Sequence, residues 1–279
     1  MTCLELWLRM ITLLRESYAC GADTLAAAGA LWLRAGDPKR AFQLLGAALA
    51  QQPTQHAAAL ALAAMMLQHK DVDAALSRLR AALSAHPTCV AAHTDLGLAL
   101  LAKRKYVSAQ TCLQRAAWAA PLSAKVAHDL GLALLVCKRP ASAFCRLAAA
   151  AALQPSHPYT VLLIGIALER LGDSRADAAF ARAAVLAPDD SLIRLNFAAR
   201  HARAGRLIEA VDEISFTAQL LKREEKPDPQ ISSALASLFE LIQDAGIDLP
   251  ELPESATNPK VSEITNTEPN EEDIGADEV

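Results

Sequence analysis

The sequence predicts an all-α fold: a right-handed α-solenoid of stacked antiparallel helix pairs, followed by a disordered acidic tail. Three observations carry this. Of 279 residues, 60 are Ala and 44 are Leu, while aromatic residues make up only 4%. Ala and Leu favour helices, whereas aromatic and β-branched residues favour strands. Pro53, Pro87, Pro121 and Pro155 recur every 34 residues, and Pro188 follows after 33; a fixed period of this kind indicates repeats. Finally, residues 247–279 hold ten acids and one base, Lys260, so a net −9 there leaves +5 on the rest of a chain whose total is −4. An apolar content of 53% excludes disorder of the whole chain. No apolar run reaches the ~18–20 residues that span a bilayer.

A 34-residue period is that of the tetratricopeptide repeat. With each proline at position 32, six units are expected at 22–55, 56–89, 90–123, 124–157, 158–190 and 191–222. Before them, residues 1–21 read as an orphan helix. Leu4 to Tyr18 sits where the second helix of an earlier unit would fall, and Glu5, Arg9 and Arg15 break the apolar run a signal peptide needs. The first five units keep a small residue at position 8 (Gly29, Ala63, Gly97, Gly131, Gly165) and at position 20 (Ala41, Ala75, Ala109, Ala143, Ala176). Position 27 is Ala48, Ala82, Ala116, Ala150 and Ala183, and position 24 is Leu45, Leu79, Leu113, Leu147 and Phe180. Small residues let helices approach closely. The large ones at 24, at position 7 (Leu62, Leu96, Leu130, Ile164) and at position 11 (Trp32, Met66, Leu100, Leu134, Leu168) fill the remaining space. One pair cannot bury its own apolar face, so neighbours must stack. The sixth unit keeps Phe197, Ala198, Gly205 and Ala210 but lacks the closing proline. Residues 228–246 read as a capping helix, with Leu235, Leu238, Phe239 and Ile242 at helical spacing and Gly246 at its end. Residues 247–279 have no periodicity and read as the tail.

Signals of chemistry are missing. The sequence has neither GxxxxGK[ST] nor GxGxxG. None of the seven histidines pairs with another His or Cys at ligand spacing on one helix, and no nucleophile has a base nearby. Asp189 and Asp190 follow Pro188 and read as helix N-caps. Cys3, Cys20, Cys89, Cys112, Cys137 and Cys145 form no CxxC pair and are expected to be buried, reduced thiols. No catalytic, metal-binding or cofactor-binding residue is therefore assigned, and the chain is not expected to be an enzyme.

Two surfaces could bind partners. In tetratricopeptide arrays, positions 2, 5, 9 and 12 of the first helix line a groove. Here they supply Leu60, Leu67, Leu98, Leu101, His128, Leu132, Leu135, Leu162 and Ile166. An exposed apolar strip of that length marks an interaction site; the alternative is that tight curvature buries it within the chain. The second surface is the edge made by the turns within each pair, with Lys70, Lys103, Arg104, Lys105, Lys138, Arg139, Arg170 and Arg203. Cations at helix C-termini complement the helix dipole, which alone would account for them. As a functional ridge, they would meet an anionic membrane surface or an acidic protein segment. Nucleic acid is not expected, because Tyr106 is the one aromatic on the ridge available for stacking.

The stretches AFQLLGAALAQQPT (Ala41–Thr54), AMMLQHKDVDAAL (Ala64–Leu76), KRKYVSAQTCLQRAAWAAP (Lys103–Pro121), DLGLALLVCKRPASAFCRLAAAAALQP (Asp129–Pro155) and LNFAARHARAGRLIEAV (Leu195–Val211) resemble the Bardet–Biedl syndrome 4 family in order and spacing. That family's members are longer on the N-terminal side, with further repeats that have no counterpart here. The resemblance implies a non-catalytic scaffold subunit of the BBSome, a coat-like complex that carries membrane proteins into and out of cilia or flagella. Its partners would be other BBSome-like subunits, and its location cytoplasmic, at the cilium or flagellum, basal body or centriolar region. The alternative is a generic tetratricopeptide adaptor or co-chaperone that binds short peptide segments. Clamps for a chaperone's C-terminal carboxylates need Lys or Asn at positions 5 and 9, where this chain has Ala26, Ala30, Leu60 and Ala64.

Overall fold

The computed structural model describes residues 21–223 and 227–244. The orphan helix expected within 1–21 and the tail expected at 247–279 lie outside the described residues, apart from Gly21. Thirteen α-helices are described: α1 (Ala22–Arg34), α2 (Pro38–Gln51), α3 (His56–Gln68), α4 (Val72–Ala85), α5 (Val90–Ala102), α6 (Tyr106–Ala119), α7 (Ala124–Val136), α8 (Pro140–Leu153), α9 (Pro158–Arg170), α10 (Ala176–Leu186), α11 (Ser191–Arg203), α12 (Leu207–Arg223) and α13 (Pro229–Asp244). The described residues form two compact units, divided between 182 and 183 inside α10.

The 34-residue prolines act one step before their own position. Each lies two residues past the last helical residue: Pro53 after Gln51, Pro87 after Ala85, Pro121 after Ala119, Pro155 after Leu153 and Pro188 after Leu186. The intervening Gln52, His86, Ala120 and Gln154 leave the helical region, with φ between −133° and −137°. A following proline's ring clashes with an α-conformation in the preceding residue, so each helix stops there. Asp37, Asp71, Ser123 and Asp190 then cap α2, α4, α7 and α11, each accepting a backbone N–H at 3.0–3.4 Å.

In the first unit, α1–α2, α3–α4, α5–α6 and α7–α8 are antiparallel pairs, and successive first helices α1, α3, α5, α7 and α9 also touch one another. Each core layer joins one pair to the next. Leu44, Leu45 and Ala48 of α2 bury against Leu62 and Met65 of α3. Ala75, Leu76 and Leu79 of α4 bury against Leu96 and Leu100 of α5. Leu113 of α6 buries against Leu130 and Leu134 of α7.

Position 8 sets how closely a pair closes. A Cβ added at Gly29, Gly97 or Gly131 would lie 2.5–2.6 Å from Cγ of Leu45, Leu113 or Leu147 respectively, and at Gly165 it would lie 3.1 Å from the Phe180 ring. The position-24 side chain therefore occupies the volume that position 8 leaves empty. Where position 8 is Ala63, the α3–α4 pair is less extensively joined than α1–α2, α5–α6 or α7–α8.

In the second unit, α11 and α12 pair and α13 packs on both. Its core holds Leu195, Ala198, Ala210, Ile214, Leu235 and Ile242. Arg194 donates to Glu213 at 3.1 Å and lies 4.7 Å above the Phe216 ring, tying α11 to α12. No described helix is long and apolar enough to cross a membrane.

Candidate functional site

The groove residues expected from the sequence divide into three groups. Leu60, Leu67, Leu98, Leu101, Leu132 and Ile166 are half-buried on the first helices, each with part of its surface open. Leu135 and Leu162 depart from expectation: at 3% and 4% exposed they are core residues. His128 is half-buried and engaged in a tie between repeats. Its Nδ1 is 2.9 Å from Oγ1 of Thr160, one repeat on, and Thr160 Oγ1 in turn lies 2.9 Å from His157 Nδ1. The two imidazoles sit edge to face at 5.2 Å. Burial, and then His157, hold the His128 pKa below the ordinary histidine value. His157 also caps α9 by accepting the Thr160 N–H at 3.2 Å.

Beside the apolar strip lies a polar feature. Asp95 on α5 and Asp129 on α7 occupy position 6 of adjacent repeats. Each stands three residues before a groove leucine, Leu98 and Leu132, and so shares its helix face. Asp129 is 7% exposed, and its Oδ2 is fully buried with no hydrogen-bond partner. Lys125, one turn before Asp129, is exposed and forms no ion pair with either carboxylate. Burial raises the Asp129 pKa to about 6, with Lys125 pulling it down and Asp95 pushing it up. Asp95 is raised too, by burial against the pull of Lys125. The sequence signal was present as a lone acid at an otherwise apolar or small position in two successive units.

The ridge has an unexpected backbone. Each turn within a pair is a Schellman motif. At the fourth, Lys138 N–H bonds Leu135 O and Arg139 N–H bonds Leu134 O, at 3.1 and 2.9 Å. The residue that must turn left-handed is Gly36, Gly172 or Gly205 in three turns, but Lys70, Arg104 or Lys138 in the others, at φ 58–63°. Lys70, Arg104, Lys105, Lys138, Arg139, Arg170 and Arg203 are exposed. Lys103 is half-buried and paired with Asp73. Arg170 donates to Leu135 O at 2.5 Å. Arg203 ends α11 in the second unit.

Of the expected packing residues, Ala41, Ala109 and Ala143 are fully buried, and Gly29, Gly97, Gly131 and Gly165 are buried. The cysteines differ from expectation: Cys112 is buried, Cys89 and Cys137 are half-buried, and Cys145 is exposed on the outer face of α8. Cys3 and Cys20 lie outside the described residues. Trp118 and Leu122, which the sequence did not single out, are 75% and 81% exposed. Among the described residues no group of three His, Cys, Asp or Glu could hold a metal ion. In the second unit, Leu192, Leu195, Leu238 and Leu241 line an open apolar cleft of about 930 Å³ between α11 and α13.

The tetratricopeptide repeat model matches residues 66–130. No curated protein sequence matches the chain. PilF of Pseudomonas aeruginosa superposes with a TM-score of 0.63 at 21% identity, over 80% of this chain and 97% of that one. A tetratricopeptide repeat protein from Parabacteroides merdae gives 0.63 at 15% identity, over 81% and 94%. YrrB, a tetratricopeptide repeat protein with an unusual peptide-binding site, gives 0.51 at 18% identity, over 69% and 96%. At these identities the likeness establishes the fold.

Proposed function

We propose that the chain is a non-catalytic adaptor that holds a short peptide segment of a partner protein on the first-helix face of its first unit. The observation that carries this is the strip of Leu60, Leu67, Leu98, Leu101, Leu132 and Ile166, half-buried on the first helices and each with part of its apolar surface open. The peptide-binding site of YrrB, a protein of similar fold, supports the reading. The test is selection of a displayed dodecapeptide library on the full chain. Bound peptides should be lost when Leu98→Glu and Leu132→Glu are introduced together. Failure to select any peptide, or selected peptides indifferent to the double substitution, would refute the assignment.

The finer reading is a scaffold subunit of a BBSome-like coat at the cilium, flagellum or basal body. It is supported by the segments at 41–54, 64–76, 103–121, 129–155 and 195–211 quoted above. Affinity purification of the tagged chain from flagellated cells should recover coat subunits; chaperones without coat subunits would sink it. The ridge serves in either case as a contact for an acidic partner surface. Supporting this, Lys70, Arg104 and Lys138 occupy a backbone conformation that glycine adopts at lower cost.

A further inference from the structure

We propose that Asp129, assisted by Asp95, selects the groove's ligand by receiving a Lys or Arg side chain from a peptide that is otherwise apolar. The inference rests on the peptide-binding reading above and specifies its chemistry.

Asp129 is a buried carboxylate with one oxygen left without a partner. It lies 7% exposed, and Oδ2 has neither solvent nor a hydrogen-bond donor. A buried polar group without a partner is destabilising, and buried charges are otherwise found paired. Among the described residues no donor reaches Oδ2. Lys125 lies on the same helix face but makes no ion pair with it.

The flanking residues define what would answer it. Leu132 stands one turn after Asp129 and Leu98 one turn after Asp95, both half-buried and half-open. An incoming side chain must therefore be cationic at its tip and apolar along its stem. Lys and Arg have that form, since their methylene stems lie along apolar surface while the charged head reaches its partner. A neutral amide could donate a hydrogen bond but would leave the paired acids of adjacent repeats unneutralised. An acidic ligand is excluded by repulsion from both.

The experiment repeats the dodecapeptide selection on the full chain and on Asp129→Asn. On the unmodified chain, recovered peptides should be enriched in one Lys or Arg flanked by apolar residues. On Asp129→Asn that enrichment should vanish while apolar peptides persist. For one recovered peptide, changing its basic residue to Gln should weaken binding about tenfold or more, as for a charged hydrogen bond. Asp129→Asn should cost about the same, and the two changes together no more than either alone. Circular dichroism confirms that the variant is folded. Peptides sensitive to Leu98→Glu but lacking basic enrichment would overturn the inference and leave the peptide-binding reading standing. So would basic enrichment that survives Asp129→Asn. Recovery of no peptide at all would overturn both.

Discussion

Replacing Asp129 by Asn is expected to stabilise the chain at neutral pH and to have little effect near pH 4. Burial, offset by Lys125 and reinforced by Asp95, raises the carboxyl pKa from 3.8 to about 6. The folded state therefore favours the protonated form. That preference contributes its full stability below about pH 4 and is lost as pH rises through about 6. A displacement of about two units corresponds to about 3 kcal/mol, which is the upper bound on the gain at pH 7.5. At about 2–4 °C per kcal/mol for a chain of this size, the unfolding midpoint should rise by up to roughly 6–12 °C. Thermal unfolding followed by far-UV circular dichroism at intervals from pH 4 to 8 measures it. Variant and parent should coincide at the acid end, diverge between about pH 4 and 6, and keep a constant separation above it. A constant offset across the range, or a lower midpoint for the variant at pH 7.5, would refute the argument. The first outcome would mean that Asp129 does not titrate between those limits; the second, that its carboxylate has a partner in solution.

Three further outcomes test the packing. Gly131→Ala should lower stability by about 1–3 kcal/mol, because the new methyl would lie 2.5 Å from Leu147 Cγ; urea unfolding reads it. Gly46→Ala, inside α2 with nothing within 4 Å of the added Cβ, should raise stability by up to about 1 kcal/mol through helix propensity alone. Lys138→Gly should raise it by about 1 kcal/mol by relieving the left-handed backbone at φ 58°, a gain seen as a higher urea midpoint with an unchanged slope.

The solenoid was legible because its constraints are periodic and each rests on a residue type with one physical use. Proline at every 34th position forces its neighbour out of the helix. Glycine at position 8 leaves room for the leucine at position 24. Features outside the period were harder to read. Leu135 and Leu162 share the apolar pattern of Leu101 and Ile166, and composition does not tell a half-open side chain from a closed one. His128 looked like a groove residue because its register position faces that way, but Thr160 lies one repeat on and holds it. Lys70, Arg104 and Lys138 looked like ordinary helix-terminal cations because the sequence does not display backbone dihedrals. The apolar groove positions were named from the repeat register. Asp129 does not follow from that register, because position 6 is not among the positions expected to line the groove.

Where this chain departs from the rules of stable folding is itself informative. Positions 8, 20, 24 and 27 obey close packing throughout the first unit. No buried polar side chain interrupts them, and where Ala63 replaces glycine the pair is simply less tightly joined. Among the departures are a carboxylate with one unpartnered oxygen beside the groove leucines and three cations in left-handed turns on the edge. None supports the joints between repeats. A sequence free to optimise stability would lose the acid to Asn or Leu and the turn cations to Gly, each by a single substitution and each with a gain of about 1 kcal/mol or more. Local violations without structural compensation are expected at sites that serve a partner. The cations are exposed on the edge, and the buried Asp129 lies one turn from the half-open Leu132. Combining Asp129→Asn, Lys70→Gly, Arg104→Gly and Lys138→Gly should therefore give a chain markedly more stable than the parent in urea and yet deficient in binding. A quadruple variant that gained stability and kept full affinity for both a basic-apolar peptide and an acidic partner would show that these departures serve neither surface.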